Sequence, residues 1–408
     1  MISRRRVVYV PGYDPQGQHG YYRLFHDQLK RACALWHTDF ELGPLSFESA
    51  DIASWTLATA GQNWKVLTQY DFVRIEDIVD VNIAEPIIPQ IFRAIRWMLD
   101  DLVTGTTFRT FRANWQFGTH LVLIQVLLLA WIGMSLASAA LAWATARQEF
   151  GLPISISLSL SVAAFVSIFV ALRPLAERWL VIRINNYWPY LRKFGRGEPS
   201  CFDRTIEIGA ARLKELVHAN DADEVVMIGH SGGAPLVLCM VARALELDPD
   251  LGRRGPRVVA LTIGSIASAV ALHPRALKMR KVIRRLAIEP SIDWVDCQSR
   301  KDAMNLWGVD PVAGVGIQLG PERRNPLVWQ VRFRDMLHAQ FYGRLRWKFF
   351  RLHFQYIMAN QMRAPYDFFM LIGSPVPITE WAKRQREIIA EFSADGKYLL
   401  ASQATGTN

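Results

Sequence analysis

Two long stretches without charge constrain this chain more than any other feature of its sequence. Residues 113–146 contain no Lys, Arg, Asp or Glu, and residues 150–172 contain none either. Each exceeds the roughly 20 residues with which a helix crosses the hydrocarbon core of a bilayer. The first centres on Leu121-Val122-Leu123-Ile124-Gln125-Val126-Leu127-Leu128-Leu129-Ala130-Trp131, and the second carries a Ser/Leu/Val/Ala pattern from Ile154 to Leu172. Between them lies only Arg147-Gln148-Glu149-Phe150-Gly151-Leu152-Pro153, a short turn with Gly and Pro. The spacing predicts a transmembrane helical hairpin over residues 113–172. The competing reading is a pair of buried core helices, but a soluble core helix seldom runs this long without one charge. Small residues on the second segment (Ser157, Ser159, Ser161, Ala163, Ala164, Ser167) suit close packing against the first.

Charge gives the hairpin a direction. Arg93, Arg96, Arg109 and Arg112 precede it and Arg173, Arg178 and Arg183 follow, whereas the turn holds one Arg and one Glu. The preference of basic flanks for the inner side predicts both chain ends in the cytoplasm, with the rest of the chain tethered at the membrane surface. The formal net charge of +10 thus points to a bilayer as partner. No zinc-finger spacing, aromatic nucleic-acid box or Lys-rich run is present, so no nucleic-acid partner is expected. Four cysteines, Cys33, Cys201, Cys239 and Cys297, form no CxxC pair. They read as reduced thiols rather than as a disulfide framework or a zinc site. The start, Met1-Ile2-Ser3-Arg4-Arg5-Arg6, resembles the front of a signal peptide, but Pro11-Gly12 ends the apolar run after Val7–Val10, so a first β-strand is expected there.

Outside the hairpin, strand and helix patterns alternate. Strands are expected at Val7–Val10, Trp64–Ile75, Glu224–Ile228, Arg257–Ile263, Trp294–Gln298 and Leu327–Phe333, and helices at Gly20–Trp36, Thr205–Ala219 and Ala234–Leu247. This order predicts an α/β fold with a mostly parallel sheet covered by helices on both faces. The division is an N-terminal part (1–112), the hairpin (113–172), a C-terminal part (173–393) and a small polar tail (394–408), expected to be disordered at its end.

The strongest local signal is G-x-S-x-G as Gly229-His230-Ser231-Gly232-Gly233, after the apolar strand Glu224–Ile228 and before the apolar helix from Ala234. A sharp strand-to-helix turn leaves no room for Cβ atoms beside the central Ser, which stands above the sheet at the positive end of the helix. A phosphate-binding Gly turn is the competing reading, but it would lack the central Ser and carry a Lys or a GxGxxG pattern.

On these residues the chain resembles the α/β-hydrolase superfamily, in particular its lipase-like and esterase-like members. The resemblance covers residues 5–75 and 200–375, with the hairpin as an insertion. It implies Ser231 as nucleophile and the Gly232 N–H as one oxyanion donor, the second coming from the loop Val10-Pro11-Gly12-Tyr13-Asp14-Pro15, where Gly12 and Tyr13 match. The order nucleophile, acid, His implies an acid in Ile292–Asn305 and a His after the last strand. Asp302 lies beyond its strand, where the family places the acid. Asp296 is the second choice, Asp293 lies in the same segment, and Asp310, beyond it, is a weaker choice. His353 and His338 both qualify as base. His353 is preferred because Phe349, Phe350, Phe354 and Tyr356 would fix its ring, although His338 is nearer the strand end. His230 reads as structural and His120 as interfacial. Trp294, Trp307, Trp329 and Trp347 are candidates for an apolar entrance or for core.

What the resemblance implies is acyl transfer to water through a Ser-Asp-His triad and an acyl-enzyme, with no cofactor. The hairpin directs the substrate expectation toward a lipid or other apolar acyl ester. An acyltransferase on the same fold, and a non-catalytic membrane scaffold retaining it, are the alternatives.

Overall fold

The computed structural model describes residues 1–14, 16–392 and 398–401. Its centre is a nine-stranded sheet: β1 (Arg4–Val10), β2 (Asp39–Leu42), β3 (Ser46–Phe47), β4 (Ile52–Gly61), β5 (Trp64–Val73), β6 (Glu224–His230), β7 (Arg257–Ile263), β8 (Ile292–Gln298) and β9 (Leu327–Gln330). The order is β2-β4-β5-β1-β6-β7-β8-β9, with β3 paired to β4. Every pairing from β5 across to β9 is parallel, while β2, β3 and β4 run antiparallel at one edge. The chain is therefore α/β with a mainly parallel sheet.

Side-chain alternation separates two cores. Val8, Val10, Val225 and Met227 face one layer, and Val7, Tyr9, Val226 and Ile228 face the other. The first layer holds α5 (Val181–Arg196), α6 (Asp203–Ala219), α7 (Gly233–Leu247) and α8 (Leu277–Ile288). The second is covered by α1 (Gly17–Trp36), whose buried Tyr21, Phe25, Leu29, Ala32 and Trp36 fall on one helical stripe. Central strands buried on both faces need continuous apolar sequence, which is why β6 and β7 were legible as strands. One ion pair fastens the centre. Arg5 and Glu224, both inaccessible, meet at 2.7 Å, and the Arg5 guanidinium also donates to the Ser374 and Val376 carbonyls.

Several elements differ from expectation. β4 is rich in Ala, Ser and Thr and gives a weak strand pattern, yet it pairs with β5 along its whole length. The helices α2 (Ile87–Val103) and α5 were not anticipated, and α5 carries Pro189 in its interior. The last strand stops at Gln330 rather than Phe333. The Val331 N–H makes a final bond to the Gln298 carbonyl, and the chain then turns into a short helix at Phe333–Met336. Within the tail, Tyr398–Leu400 pairs antiparallel with Ile389–Phe392. Residues 394–397 and 402–408 of that tail, and Pro15 of the early loop, lie outside the described residues.

The uncharged stretches form α3 (Trp115–Ala144), continued by one π turn (Thr145–Glu149), and α4 (Ile154–Arg178). Asn114 caps α3 by accepting from the Phe117 N–H. Both helices are long and apolar enough to cross a membrane. They pack against each other. Trp131 stacks on Phe169 at 4.3 Å and its indole N–H donates to the Phe169 carbonyl, and the Ser138 hydroxyl reaches the Ala164 carbonyl. The outward faces carry Leu136, Leu141, Leu158, Val162 and Val166, all exposed.

Candidate active site

The sheet order sets where a site can form. The chain leaves β1 toward β5 and β4 on one side and returns to β6 on the other. Loops after β1 and β6 thus diverge at the strands' carboxyl ends, opening a crevice of the kind in which α/β proteins bind ligands. Gly12 and Ser231 lie in those two loops.

Ser231 occupies the turn between β6 and α7 with φ of 55°. A non-glycine residue in this region costs of the order of 1 kcal/mol, so neighbours must hold it. Its N–H donates to the Ile263 carbonyl at 2.9 Å, and its carbonyl accepts from the Ala234 N–H at 3.2 Å. Because the peptide is trans, the Gly232 N–H points away from the helix. The flanking glycines are required by contact rather than by dihedral freedom. A Cβ on Gly229 would sit 2.5 Å from Ala234 Cα, and one on Gly233 would strike the Val10 carbonyl. A Cβ on Gly12 would lie 3.1 Å from Ser231 Cβ, so the β1 loop backbone rests against the serine. The Tyr187 hydroxyl fills the space beside Gly232 and donates to its carbonyl at 3.1 Å.

His353 ends a short helix, Phe349–His353, and is 3% exposed. Its Nδ1 lies 2.7 Å from Asp302 Oδ2, both side chains being almost inaccessible. An ionised carboxylate only accepts, so in this pair Nδ1 is the donor. The Nε2 of the same ring is buried without a hydrogen-bond partner among the described residues. The ring is wedged. Gly264 leaves room for it, since a Cβ there would be 2.8 Å from His353 Cε1. His230 stacks on it with centroids 4.9 Å apart, and Tyr356 meets it edge-on. Asp302 is held in turn, its other oxygen accepting from the Met304 N–H while Asn305 bridges the Ser299 and Asp302 carbonyls.

Ser231, His353, Gly12 and Tyr13 share the wall of one cavity of about 290 Å³. Phe350, Phe354 and Ile266 make part of its apolar lining. Phe117, His120 and Leu121 enter from the root of α3, and Arg183, Ile184, Tyr187 and Trp188 from α5. His120 thus faces the cavity beside Ser231 and His353. Arg183 has no ion pair among the described residues. Nothing in the local sequence marks these residues as cavity lining. Their only signal is position, since both groups sit in the segments that flank the uncharged stretches.

The other sequence candidates lie elsewhere. His338 is exposed, precedes the helix Ala339–Leu345 and does not line the cavity. Asp296 is buried at the end of β8, accepting from the Thr262 hydroxyl and the Gln298 amide. Burial raises its pKa to about 6 against those two hydrogen bonds. Asp310 pairs with Arg323 at 2.7 Å and accepts from the Val312 and Ala313 N–H groups. Asp293 is exposed along β8. Of the four tryptophans read as entrance or core, Trp294 and Trp329 are core, Trp307 is half-buried and Trp347 is exposed, and none of them lines the cavity. His230 is buried at the cavity floor near the Tyr9 hydroxyl, 3.3 Å from its Nδ1. Burial, and next the neighbouring His353, hold its pKa well below the usual histidine range.

A second cluster, Asp100, Asp101 and His273, brings three potential metal-ligand atoms within 4.8 Å. Arg192 binds Asp101 at 2.9 Å, Arg196 binds Asp100, and His273 sits 3.0 Å from Asp100. Two guanidiniums thus neutralise the two carboxylates. Burial, then Arg192 and Arg196, lower His273 to about 4. The group is an ion-pair network better suited to fastening α2 onto α5 than to holding a cation. All four cysteines are unpaired.

Comparisons with protein-family models, with characterised proteins and with solved structures found no match to this chain.

Proposed function

We propose that the chain is a membrane-anchored serine hydrolase of the α/β-hydrolase fold, cleaving an acyl ester through Ser231, His353 and Asp302. The observation that carries this reading is a single cavity shared by a serine in a left-handed strand-to-helix turn and a histidine held through Nδ1 by a buried carboxylate. In the proposed reaction His353 Nε2 takes the Ser231 proton as the hydroxyl oxygen attacks the ester carbonyl. Asp302 keeps the ring in the tautomer this needs and stabilises the charged imidazolium. The N–H groups of Gly232 and of Gly12 or Tyr13 receive the developing oxyanion, and α7 adds the positive end of its dipole. Collapse expels the alcohol with the proton from His353. Water, deprotonated by the same ring, then releases the acid. No cofactor enters these steps.

The apolar cavity lining and its position at the root of two long apolar helices support a lipid or similarly apolar acyl substrate. The basic flanks of those helices support a cytoplasmic placement of both chain ends. A fluorophosphonate probe should label the wild-type chain and not Ser231→Ala, and the variant should lose esterase activity by several orders of magnitude while keeping its fold. Retained labelling in Ser231→Ala would overturn the assignment. A screen of acyl esters with and without added alcohol then separates transfer to water from transfer to another acceptor.

A further inference from the structure

The helix α2 presents an apolar stripe to the outside. Ile88, Phe92, Leu99, Leu102 and Val103 recur at helical spacing, with Phe92 70% and Val103 86% exposed. The opposite face, Ala94, Trp97, Met98 and Asp101, is buried against the body. A surface helix of a globular domain normally puts its apolar stripe inward. This one has two, and the second lacks a partner among the described residues.

The depth of the hairpin says what covers it. Ala94 packs in one cluster with Leu128, Trp131, Ala176 and Val181, flanked by Ile87, Ile91, Phe169 and Leu172. The N-terminal half of α2 therefore lies level with the middle of α3 and with the last uncharged residues of α4. From Ile154 to Leu172 the uncharged part of α4 measures about 28 Å, close to the roughly 30 Å hydrocarbon thickness. The exposed pair Arg173–Glu177 follows at once. If α4 crosses the bilayer, Leu172 marks the near boundary of the hydrocarbon, and α2 lies at that boundary.

Charge agrees with this placement. Arg96, Lys193 and Arg275 line an open groove next to Phe92, and none of the three has an ion pair among the described residues. The arginines behind them are occupied, Arg93 by Glu85, Arg192 by Asp101 and Arg196 by Asp100.

We infer that α2 lies in the plane of an anionic lipid leaflet, with Phe92 and Leu99 among the acyl chains and Arg96, Lys193 and Arg275 at the headgroup phosphates. This rests on the membrane reading of the hairpin. Its consequence is that the body is seated on the bilayer at two places, the hairpin and α2, which fixes its tilt. The cavity at the root of α3 is thereby held at a fixed distance from the leaflet.

The test uses the full chain with Cys201→Ser, which removes the exposed thiol, and single cysteines at Phe92→Cys, Leu99→Cys, Val162→Cys and Asp250→Cys. Each carries a nitroxide in vesicles of phosphatidylcholine and phosphatidylglycerol. Oxygen, which partitions into lipid, and a water-soluble nickel chelate compete as relaxing agents. The ratio of oxygen to nickel collisions at 92 and 99 should exceed that at 250 several-fold and approach that at 162. A ratio at 92 and 99 equal to that at 250, with 162 still in lipid, overturns the inference and leaves the hairpin reading standing. A water-like ratio at 162 overturns both. In phosphatidylcholine alone, or with Arg96→Gln, Lys193→Gln and Arg275→Gln combined, the ratio at 92 should fall. An unchanged ratio would remove the anionic headgroups from the assignment.

Discussion

The carboxyl edge of the sheet and the α3–α4 hairpin are held in shape in opposite ways. At the sheet edge almost every constraint comes from far along the chain. Ser231 is pinned by Ile263, Gly232 by Tyr187, Gly12 by contact with Ser231, and His353 by Asp302 and Gly264. In the hairpin much of the hydrogen bonding is local. Ser135, Ser157, Ser159 and Ser161 each return a hydroxyl to the carbonyl four residues earlier, and few polar atoms reach across. A strained conformation survives only where neighbours over-determine it. A long regular helix needs none. The sheet edge can therefore keep a strained geometry, and the regular part of the hairpin has none to keep.

The largest test of that contrast is at the two histidines. Under the proposed function, His353→Ala should cost about as much activity as Ser231→Ala, and the double variant should be no worse than either, since groups acting as a unit are not additive. His338→Ala should keep most activity. The measurement is kcat/KM on a soluble acyl ester, and a dead His338→Ala beside an active His353→Ala would move the base elsewhere. The hairpin should respond to the opposite kind of change. Val162→Arg puts a charge on the exposed face of α4 near its middle, at an expected cost of about 3 kcal/mol in membrane insertion. The chain should shift from the membrane fraction toward aggregates or the soluble fraction, and any protein that remains inserted should still take the fluorophosphonate probe. Full insertion of Val162→Arg would break the comparison from the hairpin side.

Smaller effects sharpen the sheet edge. Tyr187→Phe removes the hydrogen bond to the Gly232 carbonyl and leaves the ring stack on Tyr13. We expect a loss of about 1 kcal/mol in stability and about tenfold or less in kcat, with KM little changed. An equal fall in stability with no change in kcat would make Tyr187 a packing residue only. The smallest effect is with pH. Burial keeps His230 neutral, so its folded pKa lies below its unfolded value of about 6.5. A depressed histidine contributes stability that is complete above that value and is lost as pH falls below it. The melting temperature should decline below about pH 6.5, and His230→Phe should flatten that decline. An unchanged slope would place the acid sensitivity elsewhere.

The contrast also explains what the sequence made legible. The hairpin, β6, β7 and the Gly229–Gly233 turn are written in contiguous residues; β6 and β7 lie within two positions of their expected ends, while the second hairpin helix runs six residues past Leu172, to Arg178. The proposed acid and base are not contiguous with anything. Asp302 was preferred over Asp296 only by its place beyond a strand, and His353 over His338 only by its aromatic neighbours. The pairing of His353 with Asp302 is a fact of three-dimensional approach. His120, Arg183 and Tyr187 were missed as cavity residues for the same reason. They belong to helices whose relation to Ser231 is set by how the hairpin returns the chain to the sheet. α5 was missed because Pro189 interrupts its pattern, and β4 because small polar residues mask its alternation.

That return has a consequence for modularity. Phe117, His120 and Leu121 stand on the same helix that becomes the first arm of the hairpin, and Tyr187, which holds the Gly232 peptide, stands on the helix that follows the second arm. The hairpin is consequently not a detachable tail on a self-sufficient domain. Excising residues 113–180 would take away one wall of the cavity and release the tyrosine that steadies the other. Hairpin and pocket share their helices, so neither can be replaced without rebuilding the other.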